Sequence, residues 1–595
     1  MCGIGGMLGQ PDTAILHRMN ALQAHRGPDA DDVWANDEIG FAHARLAIVD
    51  LASSQQPMHG TDGAVLIVNG EIYNHVHLRQ KHRSYPFATQ GDSEVILALH
   101  AAHRAGGHRR PTANDHAQWI GALDGMYGFA LWDPQHQQLL LARDPLGIKP
   151  LLRTNVDGTL LFASEAKAFR AHESYRPEMD PLAMAARLVW EYPLDGTTML
   201  KGVHQVRPGT VECWSLNSAE GPTLEGVANI ERQRLQPETS WDPGLGAGKL
   251  LETFVESVQQ RLMADVPVGI VLSGGLDSSL VCAVADEAAQ RAGQPVPECW
   301  TVAESEDNPD WQAAERVAST LDLVHHQHLL DADAFEKRLP KLAWHGEDAD
   351  VTVMFFHPLF EHMASRVKVG LCGQGADELH AGYPRYGDLP AHGRLLQQRI
   401  EALPQSHFTS LSEGPLKAEE GWYADHHSPQ QVTSDLQRML DFELEHGQLS
   451  NFQLRLVDRH SMAHSLEVRV PFLGTKHRQA ANTLPLDWKR GGDREEKAAL
   501  RRAADLTRLP KDIVRRPKLP AGRATAPTML ESFLSQRSDH VSALVKRYAS
   551  WAPVLKGQEE LVLGLGLFEA LHLAPEGHTK RHQSLDQLLD GVISP

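Results

Sequence analysis

Cys2 stands directly behind the initiator methionine, in Met1-Cys2-Gly3-Ile4. Removal of Met1 turns it into an N-terminal nucleophile that carries its own base. A free α-amino group titrates near pH ~7.7 and takes the thiol proton directly or through a water. A thiolate that attacks a carboxamide creates an oxyanion, which needs donors already in position. A side-chain amide beside an unhindered glycine N–H supplies such donors, and Asn69-Gly70 offers both. Taken alone, a second-position Cys is weak evidence and Asn-Gly is a turn signal.

A second chemistry is written in Ser273-Gly274-Gly275-Leu276-Asp277-Ser278-Ser279, between an apolar run and a helical pattern. Glycines let the backbone approach a phosphate, and N–H groups at a helix start point at it. The helix dipole favours its charge and serine hydroxyls add donors. The loop lacks the Gly-Lys-Ser/Thr ending of a Walker A motif. A partner loop, Cys372-Gly373-Gln374-Gly375-Ala376-Asp377-Glu378-Leu379-His380-Ala381-Gly382-Tyr383, ends a later predicted strand.

The elements that must hold these residues fall into two units. Before residue 215, runs such as Val65-Leu66-Ile67-Val68, Gly128-Phe129-Ala130-Leu131-Trp132 and Leu139-Leu140-Leu141-Ala142 predict buried strands of a sheet-rich domain. Residues 215–248 are polar and rich in Gly, Pro, Glu and Gln, which predicts a long connection. Leu250, Leu251, Phe254, Val258 and Leu262 then follow at helical spacing. They lead into 266–272, an almost unbroken apolar run of the buried parallel-strand kind. A helix to Gly293, strands at 299–302, 323–324 and 367–371, and a helix at 311–321 predict βαβ units of a doubly wound parallel sheet. Beyond Thr528 the pattern is helical without a readable motif. The expected domains are therefore 1–214, a polar linker at 215–248, 249–527, and a helical extension at 528–595.

Composition narrows the class. The chain has 595 residues, is 42% hydrophobic and carries a formal charge of -19. Such a chain is long enough for several cores and is a poor match for nucleic acid or an anionic membrane. No signal-peptide pattern opens it and no apolar run approaches a membrane span, so a cytoplasmic enzyme is expected. The five cysteines are scattered without Cys-x-x-Cys spacing, which indicates neither a disulfide framework nor a zinc ribbon. His325-His326-Gln327-His328 flanks a predicted strand with no carboxylate or thiolate at ligand spacing, and reads as solvated or hydrogen-bonded histidine.

Taken in series, Cys2, Arg26-Gly27-Pro28-Asp29, His43-Ala44-Arg45-Leu46-Ala47-Ile48-Val49-Asp50, Asn69-Gly70-Glu71-Ile72-Tyr73-Asn74, Gly91-Asp92-Ser93-Glu94 and Arg143-Asp144-Pro145-Leu146-Gly147-Ile148-Lys149-Pro150 resemble the class II glutamine amidotransferases, which are N-terminal-nucleophile hydrolases. The resemblance implies an α+β unit with an αββα sandwich, Cys2 as nucleophile, and Asn69 and Gly70 as the oxyanion hole. It also implies a glutamine site of Arg26, Arg45, Ile48, Asn69, Gly70, Glu71 and Asp92. Arg45 and Asp92 would be the cation and anion that meet the α-carboxylate and α-ammonium of free glutamine.

The Ser273 loop resembles the PP-loop of ATP pyrophosphatases. With Asp458-Arg459-His460-Ser461-Met462-Ala463-His464-Ser465-Leu466-Glu467-Val468-Arg469-Val470-Pro471-Phe472-Leu473 and Lys497-Ala498-Ala499-Leu500-Arg501, the chain is similar to the glutamine-hydrolysing asparagine synthetases to about Thr528. That likeness implies an α/β PP-loop domain binding ATP through Val271, Ser273, Gly274, Gly275, Asp277, Ser278, Ser279, Val302, Gly373, Gln374 and Lys497. Mg2+ would sit on Asp277 and Asp377, and Lys497 would face the pyrophosphate. The implied reaction activates the aspartate side-chain carboxylate as an acyl-adenylate, which ammonia from glutamine attacks with release of AMP. Because ammonia is mostly protonated in neutral water, a protected passage between the sites is implied. The partners are thus glutamine, aspartate and ATP, and a homodimer is left open.

Three departures concern the acceptor. Gln374 stands where asparagine synthetases often carry Glu and β-lactam-forming relatives carry Tyr, and a neutral amide is no base. Either Glu347, His380 or a water takes the proton, or Gln374 only positions the adenylate. The segment 345–352 follows the familiar pattern in part, and Gly474 replaces a common Asp. Amidation of another carboxylate remains the nearest rival. β-Lactam formation is disfavoured because Cys2 is kept, and a silent nucleotide-binding scaffold because both constellations are complete.

Overall fold

Two antiparallel sheets and one parallel sheet carry the candidate residues. The computed structural model describes residues 2–107, 109–217, 221–230, 235–351, 356–405, 428–519 and 525–594; Met1, Thr352 and parts of the expected linker lie outside them. The strands are β1 (Cys2–Leu8), β2 (Ala30–Ala35), β3 (Ile39–Arg45), β4 (Met58–His59), β5 (Val65–Ile72), β6 (Gly125–Asp133), β7 (Gln138–Arg143), β8 (Leu152–Val156), β9 (Thr159–Ala163), β10 (His204–Gln205), β11 (Thr210–Asn217), β12 (Gly221–Asn229), β13 (Val268–Val271), β14 (Glu298–Ala303), β15 (His325–Leu329), β16 (Val369–Leu371) and β17 (Glu467–Arg469). The first sheet has the order β10-β8-β9-β1-β3-β2 and the second β12-β11-β7-β6-β5-β4.

Both faces of these sheets are covered, which accounts for the unbroken apolar runs. Val65 and Ile67 pack between the sheets with Ile4, Phe41, Trp132 and Phe162. Leu66 and Val68 point the other way, against Ile96, Leu99 and Ile120 of helices Val95–Ala105 and Ala113–Ile120. Helix Thr13–Gln23 covers the outer face of the first sheet with Ile15, Leu16 and Met19. The unit is an αββα sandwich.

The third sheet is parallel throughout, in the order β15-β14-β13-β16-β17. Helix Leu276–Ala292 connects β13 to β14 and helix Pro309–Leu321 connects β14 to β15. The order changes direction between β13 and β16, and a crevice opens beyond their carboxyl ends at such a switch point. The Ser273 loop leaves β13 there and the Cys372 loop leaves β16.

Three sequence expectations need correction. Residues 215–217 and 221–229 are strand: β11 runs to Asn217 and pairs antiparallel with β12, which forms the edge of the second sheet. An edge strand has one partner and a largely solvated face, so its residues carry no apolar alternation to read. The expected linker also loses its end, because helix Pro243–Arg261 starts at Asp242, whose side chain accepts the N–H of Gly244 at 2.8 Å. The strand expected at 323–324 begins at His325, so the histidine run is itself edge strand β15. There His326 stacks on Trp300 at 4.6 Å and pairs with Glu298 at 2.6 Å. The C-terminal segment is helical, at Pro527–Gln536, Ser538–Arg547, Glu559–Phe568 and Leu585–Ile593, and its apolar residues join the core of the parallel-sheet unit.

Candidate active sites

β1 and β5 bring the N-terminal constellation together. The backbone N–H of Cys2 donates to Asn69 Oδ1 at 3.1 Å, and Arg26 Nε donates to the Cys2 carbonyl at 3.1 Å. Cys2 lies opposite Arg45 in the β1–β3 register. Burial pushes the Cys2 thiol up, while the chain's amino end, a bond from the Leu46 backbone and Arg45 pull it down. Gly70 admits no side chain, since a Cβ there would lie 2.1 Å from Met126 O; its backbone can be approached only because the Cβ is absent.

The other predicted glutamine residues are held by the fold. Asp92 Oδ2 accepts the Ile72 N–H at 2.6 Å, and burial raises its carboxyl. Arg45 donates to the carbonyls of Asp50 at 2.7 Å and Leu51 at 3.1 Å. Glu71 is buried and faces Arg469 of the parallel-sheet unit at 3.5 Å. Ile48 packs with Leu46 against Ala264, Val369 and Met462 of that unit.

The contact between the units is a buried alternation of charges. Arg26 pairs with Glu165 and with Asp458, both at 2.9 Å. Lys167 pairs with Glu165 at 2.5 Å and with Glu347 at 3.3 Å, and Arg459 pairs with Glu347. Glu347 also accepts the N–H groups of Ala166 at 3.0 Å and Lys167 at 2.7 Å. A carboxylate with this many donors is spent on the interface, so Glu347 is not the base sought in place of Gln374. His380 is fully buried beside His477 and Phe472, outside the cavity wall, and burial drives its imidazole far down.

At the switch point a cavity of about 620 Å³ opens, lined among the described residues by Val271, Ser273, Asp277, Ser278, Gly373, Gln374 and Asp377. Ser278 Oγ accepts the Ser273 N–H at 3.0 Å, which shapes the loop. Gly274 has φ +70, and a Cβ there would meet Asp310 O at 2.6 Å, so this turn requires glycine. A neighbouring recess holds Gly275, Asp277, Lys497, Arg516 and Lys518. Of the predicted ATP residues, Gly274, Ser279 and Val302 line neither space: Ser279 is buried inside helix Leu276–Ala292 and Val302 in β14.

Two carboxylates and two ammonium groups meet between cavity and recess. Lys497 Nζ lies 2.6 Å from Asp277 and 2.5 Å from Asp377; Lys518 Nζ lies 2.7 Å from Asp377 and 3.6 Å from Asp277. Burial alone would raise Asp377, but the two lysines bring it to about 2. Sequence reasoning missed Lys518 and Arg516, although the basic run Arg515-Arg516-Pro517-Lys518 was a visible signal. It also missed Gln453, whose Oε1 accepts from Gln374 Nε2 and whose Nε2 donates to Tyr383 OH at 3.1 Å.

Comparison with known proteins finds two family models in series along the chain. Residues 1–222 match the glutamine amidotransferase domain model and residues 249–553 match the asparagine synthase model. The chain is 28% identical to glutamine-hydrolysing asparagine synthetase 3 of Bacillus subtilis, over 95% of this chain and 91% of that one. It is 30% identical to a putative asparagine synthetase of Mycobacterium bovis, over 87% and 85%. It is 28% identical to asparagine synthetase 2 of Arabidopsis thaliana, over 93% and 84%. With half its length inside one family model and near-complete overlap with these relatives, the chain belongs to the asparagine synthase family.

Proposed function

We propose that this protein forms asparagine from aspartate, taking nitrogen from glutamine and cleaving ATP to AMP and pyrophosphate. The observation that carries the reading is the pairing, in one chain, of the Cys2–Asn69 hydrogen bond with the Asp277–Asp377 cluster at the crevice of the parallel sheet. The glutaminase unit extends through β12 and the synthetase unit starts with helix Pro243–Arg261.

After Met1 is removed, the freed amine of Cys2 takes the thiol proton and the thiolate attacks the glutamine carboxamide. The Asn69 amide and the Gly70 N–H receive the oxyanion, and Arg45 and Asp92 hold the two charged ends of glutamine. In the second unit the Ser273–Ser278 loop holds phosphate, and Lys497, Arg516 and Lys518 face the pyrophosphate. Asp277 and Asp377 fit Mg2+, since their carboxylates converge on one point at the mouth of the phosphate loop, where Lys497 and Lys518 now neutralise them. Bound there, the ion would offset phosphate charge. Gln374 orients the adenylate through Gln453 rather than removing a proton. The reaction calls for a path between the two sites that shields ammonia from water.

The test is a reaction with amide-¹⁵N glutamine, Mg-ATP and aspartate, read by mass spectrometry. Labelled asparagine with matching AMP is expected; glutamate and ammonia without labelled asparagine would move the acceptor to another carboxylate.

A further inference from the structure

The wall of the synthetase cavity contains residues from beyond the matched asparagine synthase model. The asparagine synthase match ends at residue 553, yet Gln558 and Leu561 line the same cavity as Ser273, Asp277, Gly373 and Ala349. Gln558 stands at the N-cap of helix Glu559–Phe568, which after its two opening glutamates is apolar on every face and buried from Leu561 to Phe568, and this marks a core element rather than a loose tail.

Its position is fixed along its length. At Gly564 a Cβ would lie 1.7 Å from Ala349 O, so the helix backbone rests directly on a segment that itself lines the cavity. Further on, His572 stacks on Trp344 at 5.3 Å and its Nε2 lies 3.0 Å from Ala343 O. Arg170 of the glutaminase unit donates to the carbonyls of Leu571 at 3.4 Å, His572 at 2.7 Å, Ala574 at 3.1 Å and Pro575 at 3.1 Å. One guanidinium thus satisfies carbonyls left over at the helical end. Gln558 Nε2 donates to Val554 O at 2.6 Å, which orients its amide.

We propose that this C-terminal extension forms part of the acceptor-binding wall, and that Gln558 and Leu561 help decide which carboxylate the enzyme amidates. Specificity of this kind comes from shape and from one placed polar group, and Leu561 supplies the first and Gln558 the second. The inference rests on the asparagine-forming reading above and refines its acceptor site.

The experiment compares wild type, Gln558→Ala and Gln558→Trp in full-length protein, with KM for the acceptor, KM for ATP and the glutaminase rate measured separately. The acceptor KM is expected to rise roughly tenfold in one or both variants. The glutaminase rate and the KM for ATP should stay within about twofold. Partly exposed Gln558 tolerates truncation, so Gln558→Ala decides the matter if the Trp variant misfolds. An unchanged acceptor KM, or a rise in the KM for ATP instead, overturns the inference. If wild type amidates another carboxylate in place of aspartate, the proposed function falls, and the same comparison with that carboxylate decides the inference.

Discussion

Lys518→Met removes one of two ammonium groups from a buried pair of carboxylates while keeping the volume of the side chain. The two lysines together hold Asp377 at about 2 against an ordinary 3.8. At about 1.36 kcal/mol per pH unit, the gap corresponds to roughly 2 kcal/mol. Lys497 and Lys518 sit 2.5 and 2.7 Å from that carboxylate and also offset the burial that raises it, so losing Lys518 raises Asp377 and should cost at least on the order of 1 kcal/mol near neutral pH. The sign is that of a depressed carboxylate: the contribution is complete above pH 3.8 and disappears as the pH falls through about 2, so wild type and variant should converge in strong acid.

The same lysine competes with a cation for Asp377. Mg2+ without nucleotide should therefore stabilise Lys518→Met more than wild type and narrow the difference between them. The assay is thermal unfolding across a MgCl2 series at pH 7, repeated at low pH. Equal melting without Mg2+, or equal Mg2+ response in the two proteins, would show that Lys518 does not neutralise the metal-binding carboxylates and would refute the reasoning.

Two further outcomes are expected. Asn69→Ala should lower glutamine hydrolysis by roughly 10²- to 10³-fold through loss of one oxyanion donor, while ammonia-dependent amidation of aspartate persists; parallel assays with glutamine and with ammonium chloride separate the two. Gln374→Glu removes the amide that donates to Gln453, so it should raise the KM for ATP without increasing the rate of amide formation, and a rate increase in steady-state assays would show that a carboxylate at 374 acts as the missing base.

Much of the site was legible in the chain because its chemistry is local. A phosphate loop needs glycine at Gly274 for a positive φ and a close approach to Asp310, and serines to close the turn; adjacent residues satisfy these demands. Cys2 and the Asn69-Gly70 pair are likewise fixed by residue type at given positions. The apolar runs reported strands buried on both faces.

Tertiary structure decided what depends on charges and surfaces brought together from far apart. Glu347 is a carboxylate in the sequence, but whether it is a free base depends on Lys167, Arg459 and two backbone N–H groups that only the folded interface supplies. Lys518 became part of the Asp277–Asp377 cluster by proximity alone. Edge strand β12 lacks the alternation that burial imposes, so its polar sequence read as linker until β11 paired with it. The tail beyond Thr528 read only as helical, and the contact of Gly564 with Ala349 set helix Glu559–Phe568 in the cavity wall. Residue types and their spacing fixed which reactions were available; electrostatic neutralisation and close packing, which act through space, fixed which groups remain free to take part.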